Sequence, residues 1–245
     1  MATLYRDLFS APGTGRFTAA GLLARLPLPM AGIGIITLFS QKQGTFGLAG
    51  AISATFVLAY ALLSPQVSRY VDRYGQSRVL PAATAISIAG FFILIAGSHW
   101  NVASWVLFPG AFLAGFMPSM SAMIRARWTA LYRGDARLQT AYSLETVLDE
   151  LTFIMGAPLS IALSITLFPQ AGLLVAVLLL FSGVFALVIL RGTEPPTVTT
   201  SRATAGESSV IGMKSVRLLA LLMVGMGMIV GTVDIVSIAY AGEWG

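Results

Sequence analysis

Five ionisable side chains stand in or beside apolar sequence that gives them little room. Arg25 interrupts an apolar run over residues 17–40, and Asp234 interrupts another over 218–241. Glu145, Asp149 and Glu150 directly precede a 40-residue uncharged run over 151–190. An arginine near the centre of a hydrocarbon layer costs about 2.5–3.5 kcal/mol on insertion scales, so it normally turns to a partner, a wet cavity or the headgroups. Counted from residue 17 at 1.5 Å per residue, Arg25 lies roughly 12 Å deep. Two roles are open for it: a cavity-lining residue that binds an anion or couples to one, or a cation that snorkels to the interface. Glu145 and Asp149 are four apart and share a helix face, while Glu150 is turned by about 100° from Asp149. A helix beginning near Thr140 places these acids at a depth like that of Arg25, where burial favours a carboxylate that carries a proton and an arginine neighbour favours the charged form, and both readings stay open. A helix beginning near Leu151 leaves them in a solvated loop.

Other chemistry is closed to this sequence. It has no cysteine, so disulfides, zinc–thiolate sites and iron–sulfur clusters are excluded. Its single histidine, His99, rules out two-histidine metal motifs and haem ligation by a histidine pair. With Trp100 and Trp105 nearby, His99 reads as part of an interfacial aromatic anchor. There is no convincing G-x-S-x-G, nor paired aspartates at metal spacing, so neither an enzyme nor a cofactor is expected.

The composition explains why the charges matter. Of 245 residues, 56% are hydrophobic and 10% charged, against about 25% charged in an ordinary soluble domain. Mean hydropathy is +0.83. So few charges cannot cover a soluble fold, and the expectation is an all-α integral membrane protein. At roughly 20 residues per span, the chain has room for about seven helices. The apolar runs place them at 17–40, 44–64, 79–98, 100–124, about 140–167, 171–190 and 218–241. Pro27 and Pro29 predict a kink just after Arg25, and Pro169 separates the fifth helix from the sixth. With the N-terminus in the cytoplasm, thirteen of the fifteen Lys and Arg residues fall on the inner side, all but Arg25 and Lys42. That obeys the positive-inside rule and accounts for the net charge of +5 without nucleic acid. Residues 192–217 are rich in Thr, Ser, Gly and Pro and read as a cytoplasmic linker. The expected organisation is a six-helix bundle over 1–191, this linker, and a seventh helix over 218–245. No cleavable signal peptide is read. The expected location is the inner (cell) membrane, crossed several times.

Between the second and third spans runs Ser68-Arg69-Tyr70-Val71-Asp72-Arg73-Tyr74-Gly75-Gln76-Ser77-Arg78. This resembles the signature loop of the major facilitator superfamily, G-x-L-x-D-R-x-G-R-R. Asp72, Arg73 and Gly75 match its D-R-x-G core, Ser68 stands for a glycine, and Arg78 follows where a basic pair is usual. The resemblance implies that the chain is the N-terminal half of such a transporter plus one helix of an incomplete second half. It also implies that Asp72, Arg73, Gly75 and Arg78 form a latch on the cytoplasmic gate, with Gly75 making the tight turn. The family's first and fifth helices are neighbours, which implies an Arg25–carboxylate pair. Its seventh helix lines the central cavity, so Asp234 either contacts solute or sits at the outer interface. Helix four has no arginine before Gly110 or Gly115, and Gly156-Ala157-Pro158-Leu159 only loosely echoes the helix-five pattern of drug antiporters.

The function so implied is secondary active transport of a small solute by alternating access. Protons are the coupling ion and efflux the direction the family favours. Arg25, Glu145, Asp149, Glu150 and Asp234 are the candidates for solute binding or proton coupling. The partners are the bilayer, the solute, protons, and the missing half or a second copy. The alternative is a non-transporting scaffold, or a half-transporter acting as a dimer. Asp72→Asn is expected to impair transport while substrate binding is retained. Unchanged transport kinetics in that variant would remove the latch role.

Overall fold

The computed structural model describes residues 2–43, 46–197 and 214–244, with backbone alone at 2–4, 42–43, 214–215, 234–235, 238–239 and 241–244. Every regular element among them is helical. The chain divides into two compact units, residues 1–198 and 199–245. The expected linker at 192–217 straddles that division, and its residues 198–213 lie outside the described ones.

In the first unit a short α1 (Ala2–Leu8) leads into α2 (Thr14–Arg25) and α3 (Pro27–Gln43). These two form one apolar span interrupted at Leu26, the kink that Pro27 and Pro29 predict. Proline is tolerated in the first turn of α3, where its missing N–H has no helical acceptor in any case. Next come α4 (Phe46–Tyr74) and α5 (Gln76–Trp100). The expected fourth span at 100–124 is not one helix. It is α6 (Leu107–Ala114) followed, after a break at 115–119, by α7 (Met120–Tyr132). Pro118 causes the break, because it lacks the N–H that would bond Ala114 and its ring crowds that carbonyl. The chain tightens into three-residue turns there, and the Ser87 hydroxyl donates to the Ala114 carbonyl oxygen at 2.7 Å. Freed carbonyls inside a bilayer need such partners. Then α8 (Arg137–Thr166) and α9 (Ala171–Ile189) are separated by the turn at Pro169. α8 begins before Thr140, so all three acids of the 145–150 cluster are helical.

The bundle is arranged for a membrane. Val57, Leu58 and Leu62 of α4, Ile154 and Met155 of α8, and Leu178 and Phe181 of α9 are exposed. Buried instead are Arg25, Gln76, Arg127 and Glu145. α2 packs on α7 and α9, and α3 on α4, α8 and α9. Small residues permit these approaches. A Cβ added at Gly183 of α9 would lie 2.6 Å from the Ala24 nitrogen and 2.8 Å from its Cα. One added at Gly90 of α5 would lie 2.2 Å from the Ala114 nitrogen.

The second unit, described by itself, contains α10 (Lys214–Trp244), with an apolar stretch at Val216–Val233. Among the described residues six helices are long and apolar enough to cross a membrane, counting α2 and α3 together and including α10.

The backbone of α2 cannot give way as a flexible side chain could. Gly183→Ala is therefore expected to cost about 1–3 kcal/mol of stability by overpacking. Gly50→Ala, where no atom among the described residues lies within 4 Å of the new methyl, is expected to be neutral or slightly stabilising. Thermal unfolding of both variants in detergent checks this, and equal melting temperatures would contradict it.

Candidate functional site

Arg25 is the last residue of α2 and is 5% exposed. The helix bends directly after it, and α8 passes alongside with Glu145 fully buried. Arg25 Nη2 donates to Glu145 Oε2 in a buried ion pair. The other carboxylate oxygen, Oε1, accepts from the Trp128 indole N–H at 2.8 Å. Trp128 is itself fixed, with Phe17 edge-on at 4.7 Å between centroids and Tyr132 stacked at 5.8 Å. Glu145 thus has a charged donor and a rigid neutral donor, one for each oxygen.

One turn along α8, Asp149 does something different. Its Oδ1 accepts from the Ser121 hydroxyl at 2.6 Å and lies 3.3 Å from Arg25 Nη1. Its Oδ2 accepts from Arg125 Nη2 at 2.8 Å. The Asp149 side chain keeps 20% of its exposure and borders a small cavity with Arg25, Leu28, Tyr60, Met117, Ser121, Thr152 and Phe153. About 20 Å³ of that space is open to water-sized groups, room for roughly one water. Three buried guanidinium nitrogens in the cluster, Arg25 Nε, Arg25 Nη1 and Arg125 Nε, have no hydrogen-bond acceptor among the described residues.

The structure therefore brings Arg25, Glu145 and Asp149 together and leaves Glu150 exposed on another face of α8. The Asp234 side chain lies outside the described residues. Arg125, Ser121 and Trp128 are additions that the sequence reading missed. It placed Arg125 in a loop after Ile124, whereas α7 continues to Tyr132. The overlooked signal is their spacing of four and three residues, which puts all three on one helix face. Among the described residues no group of three or more His, Asp or Glu could hold a metal ion.

The signature loop forms a second centre. Gly75 closes α4 and opens α5 at φ +91°, a backbone conformation that disfavours side chains. Glu194, just beyond α9, accepts the Ser77 N–H at 2.9 Å, with its Oε1 2.8 Å from where a Gly75 Cβ would stand. Arg127, 1% exposed, binds Gln76 Oε1 at 2.8 Å and the carbonyls of Leu187 and Leu190 at 2.9 Å each. It thereby supplies donors and positive charge to the C-terminal end of α9. Asp72, Arg73 and Arg78 are exposed, and Arg73 lies 5.3 Å over the Tyr74 ring. Of the four expected latch residues, only Gly75 is built into this bundle.

Breaking one side of a buried ion pair leaves an uncompensated charge and costs about 3–5 kcal/mol. Glu145→Gln is expected to destabilise the protein by that order, while the exposed Glu150→Gln changes stability by less than about 0.5 kcal/mol. Melting curves of the two variants in one detergent check this. A Glu145→Gln protein as stable as the parent would contradict the assigned pairing.

The geometry can be set beside known proteins. The family model described as Major Facilitator Superfamily matches residues 17–243. No curated protein and no solved structure matches the chain. The match takes in the bundle, the signature loop and most of α10, and the family consists of transporters of small molecules rather than enzymes. The chain belongs to the major facilitator superfamily and is a multi-pass membrane transporter.

Proposed function

We propose that the chain carries out secondary active, proton-coupled transport of a small solute by alternating access, with its N-terminus in the cytoplasm. One observation carries the reading: Asp149, in a membrane-spanning helix, faces a cavity between two arginines with part of its surface open. Ionisable groups at such depth are costly and are kept for function. Glu145 is enclosed by Arg25 and Trp128 and serves to position Arg25. Asp149 is the carboxylate that a proton reaches from the cavity. Gaining that proton removes the charge that holds Arg25 and Arg125 toward it, so the local pairing has two states. Alternating access requires an opposite wall, which in this reading a second bundle or a second copy of the chain supplies. The signature loop, with Asp72, Arg73 and Arg78 free on its surface, is the latch between them. Direction follows the sum of the solute and proton gradients, with efflux the direction implied by the resemblance. The inner membrane is the proposed location.

Asp149→Asn keeps the size of the side chain and one acceptor oxygen but cannot titrate. In proteoliposomes with an internal pH dye, the parent chain is expected to move protons with at least one solute from a panel of sugars, amino acids, carboxylates and amines. Asp149→Asn is expected to lose most of that flux, while solute exchange persists. Full proton flux in the variant contradicts the reading. Association into dimers with no flux for any solute favours the scaffold reading.

A further inference from the structure

Resting on the reading of Asp149 as proton carrier, the hydrogen-bond inventory of the cluster narrows the solute. All four carboxylate oxygens are occupied. Glu145 Oε1 and Oε2 take Trp128 and Arg25, and Asp149 Oδ1 and Oδ2 take Ser121 and Arg125. The donors are in excess. Arg25 Nε and Arg125 Nε are buried without a hydrogen-bond acceptor among the described residues, and Arg25 Nη1 has only the Asp149 ion pair at 3.3 Å. Arg25 lines the cavity and is 5% exposed. Buried N–H groups left without acceptors are unfavourable, and an acceptor brought by a ligand would relieve them. A cationic head brings only donors and meets Arg25. A carboxylate-type head brings only acceptors and suits a guanidinium.

Charge supplies the second half of the argument. Arg25 and Arg125 balance Glu145 and Asp149, so the resting cluster is neutral. A bound anion alone would leave one negative charge in an apolar bundle, at high cost. One proton on Asp149 restores neutrality. Asp149 is faced by Arg25 from α2, Arg125 and Ser121 from α7 and Tyr60 from α4, with Glu145 one turn back on α8. α3 adds only Leu28 to the cavity lining. Among the described residues no other acid borders the cavity to take the proton in its place.

We infer that the solute is a small monoanion with a carboxylate-type head, bound together with one proton. The proton passes from the aqueous side to an Asp149 oxygen, forming an O–H. The site goes from neutral to singly positive, and the anion returns it to neutral as an oxygen accepts from Arg25. The cavity, with about 20 Å³ open, admits one oxygen of the head group beside Arg25, and Leu28, Met117 and Phe153 flank the rest of the molecule.

Three probes of one chain length separate the possibilities: butyrate, butyramide and butylammonium, titrated calorimetrically into the full chain in lipid nanodiscs. Two buffers of different ionisation enthalpy report the protons taken up. Butyrate is expected to bind with uptake of close to one proton, and to weaken by about tenfold per unit rise in pH above the carrier's range. Asp149→Asn is expected to bind butyrate without proton uptake or pH dependence, and Arg25→Lys to bind it at least tenfold more weakly. Proton uptake with butyramide or butylammonium in place of butyrate overturns the inference and leaves the proton-carrier reading standing. Butyrate binding to the parent chain without proton uptake overturns both. Binding of none of the three overturns the inference. The parent chain decides each of these outcomes by itself if either variant fails to fold.

Discussion

A guanidinium inside an apolar bundle must be paired, and the pairing of Arg25 with Glu145 constrains much of the first unit. Taking two charges from water costs several kcal/mol per ion, and their attraction repays this only with good geometry and further hydrogen bonds. Those conditions account for the neighbours. Trp128 covers the second oxygen of Glu145 at 2.8 Å. Phe17 and Tyr132 pack on the faces and edge of its indole. The Tyr132 hydroxyl donates to the Leu8 carbonyl at 2.8 Å and so closes the end of α1. A single charge in α2 thus organises parts of α1, α7 and α8. An apolar pair of similar volume would serve stability as well or better.

Asp149 stands one helical turn from Glu145, yet its surroundings differ in kind. Glu145 is saturated and closed off, whereas Asp149 is shared among Arg25, Arg125 and Ser121 and keeps an open side. Two acids on one face are thus held in different surroundings, one closed and one partly open. The helix break at 115–119 contributes to this. By ending α6 and restarting the chain at Met120, it lets α7 carry Ser121, Arg125 and Trp128 down one face toward α8. A continuous helix through Pro118 would require a donor that proline does not have.

Arg127 and Glu194 do for the signature loop what Trp128 does for the ion pair. Arg127 ties the end of α9 to the start of α5, and Glu194 accepts the Ser77 N–H of α5. The loop's glycine has its reason here, since Glu194 occupies the space a side chain would need. The exposed Asp72, Arg73 and Arg78 are left as charges on a rigid mount.

Much of this could be read along the chain. Low charge, apolar runs, the proline kink after Arg25, the turn at Pro169 and the D-R-x-G loop are local signals, and they sufficed for an all-helical membrane protein and its family. The helix containing the three acids was legible in period, but its beginning was not, because the polar stretch at 125–139 hides both the end of α7 and the start of α8. Only the tertiary structure selected Glu145 as the partner of Arg25, brought Arg125 to Asp149 and turned Glu150 away. The physical reason is range. Periodicity and proline act over a few residues, whereas Arg25 and Glu145 are 120 residues apart. Their meeting depends on how closely helices approach, and that is set by small residues such as Gly183 against Ala24, whose effect appears only when the helices are packed.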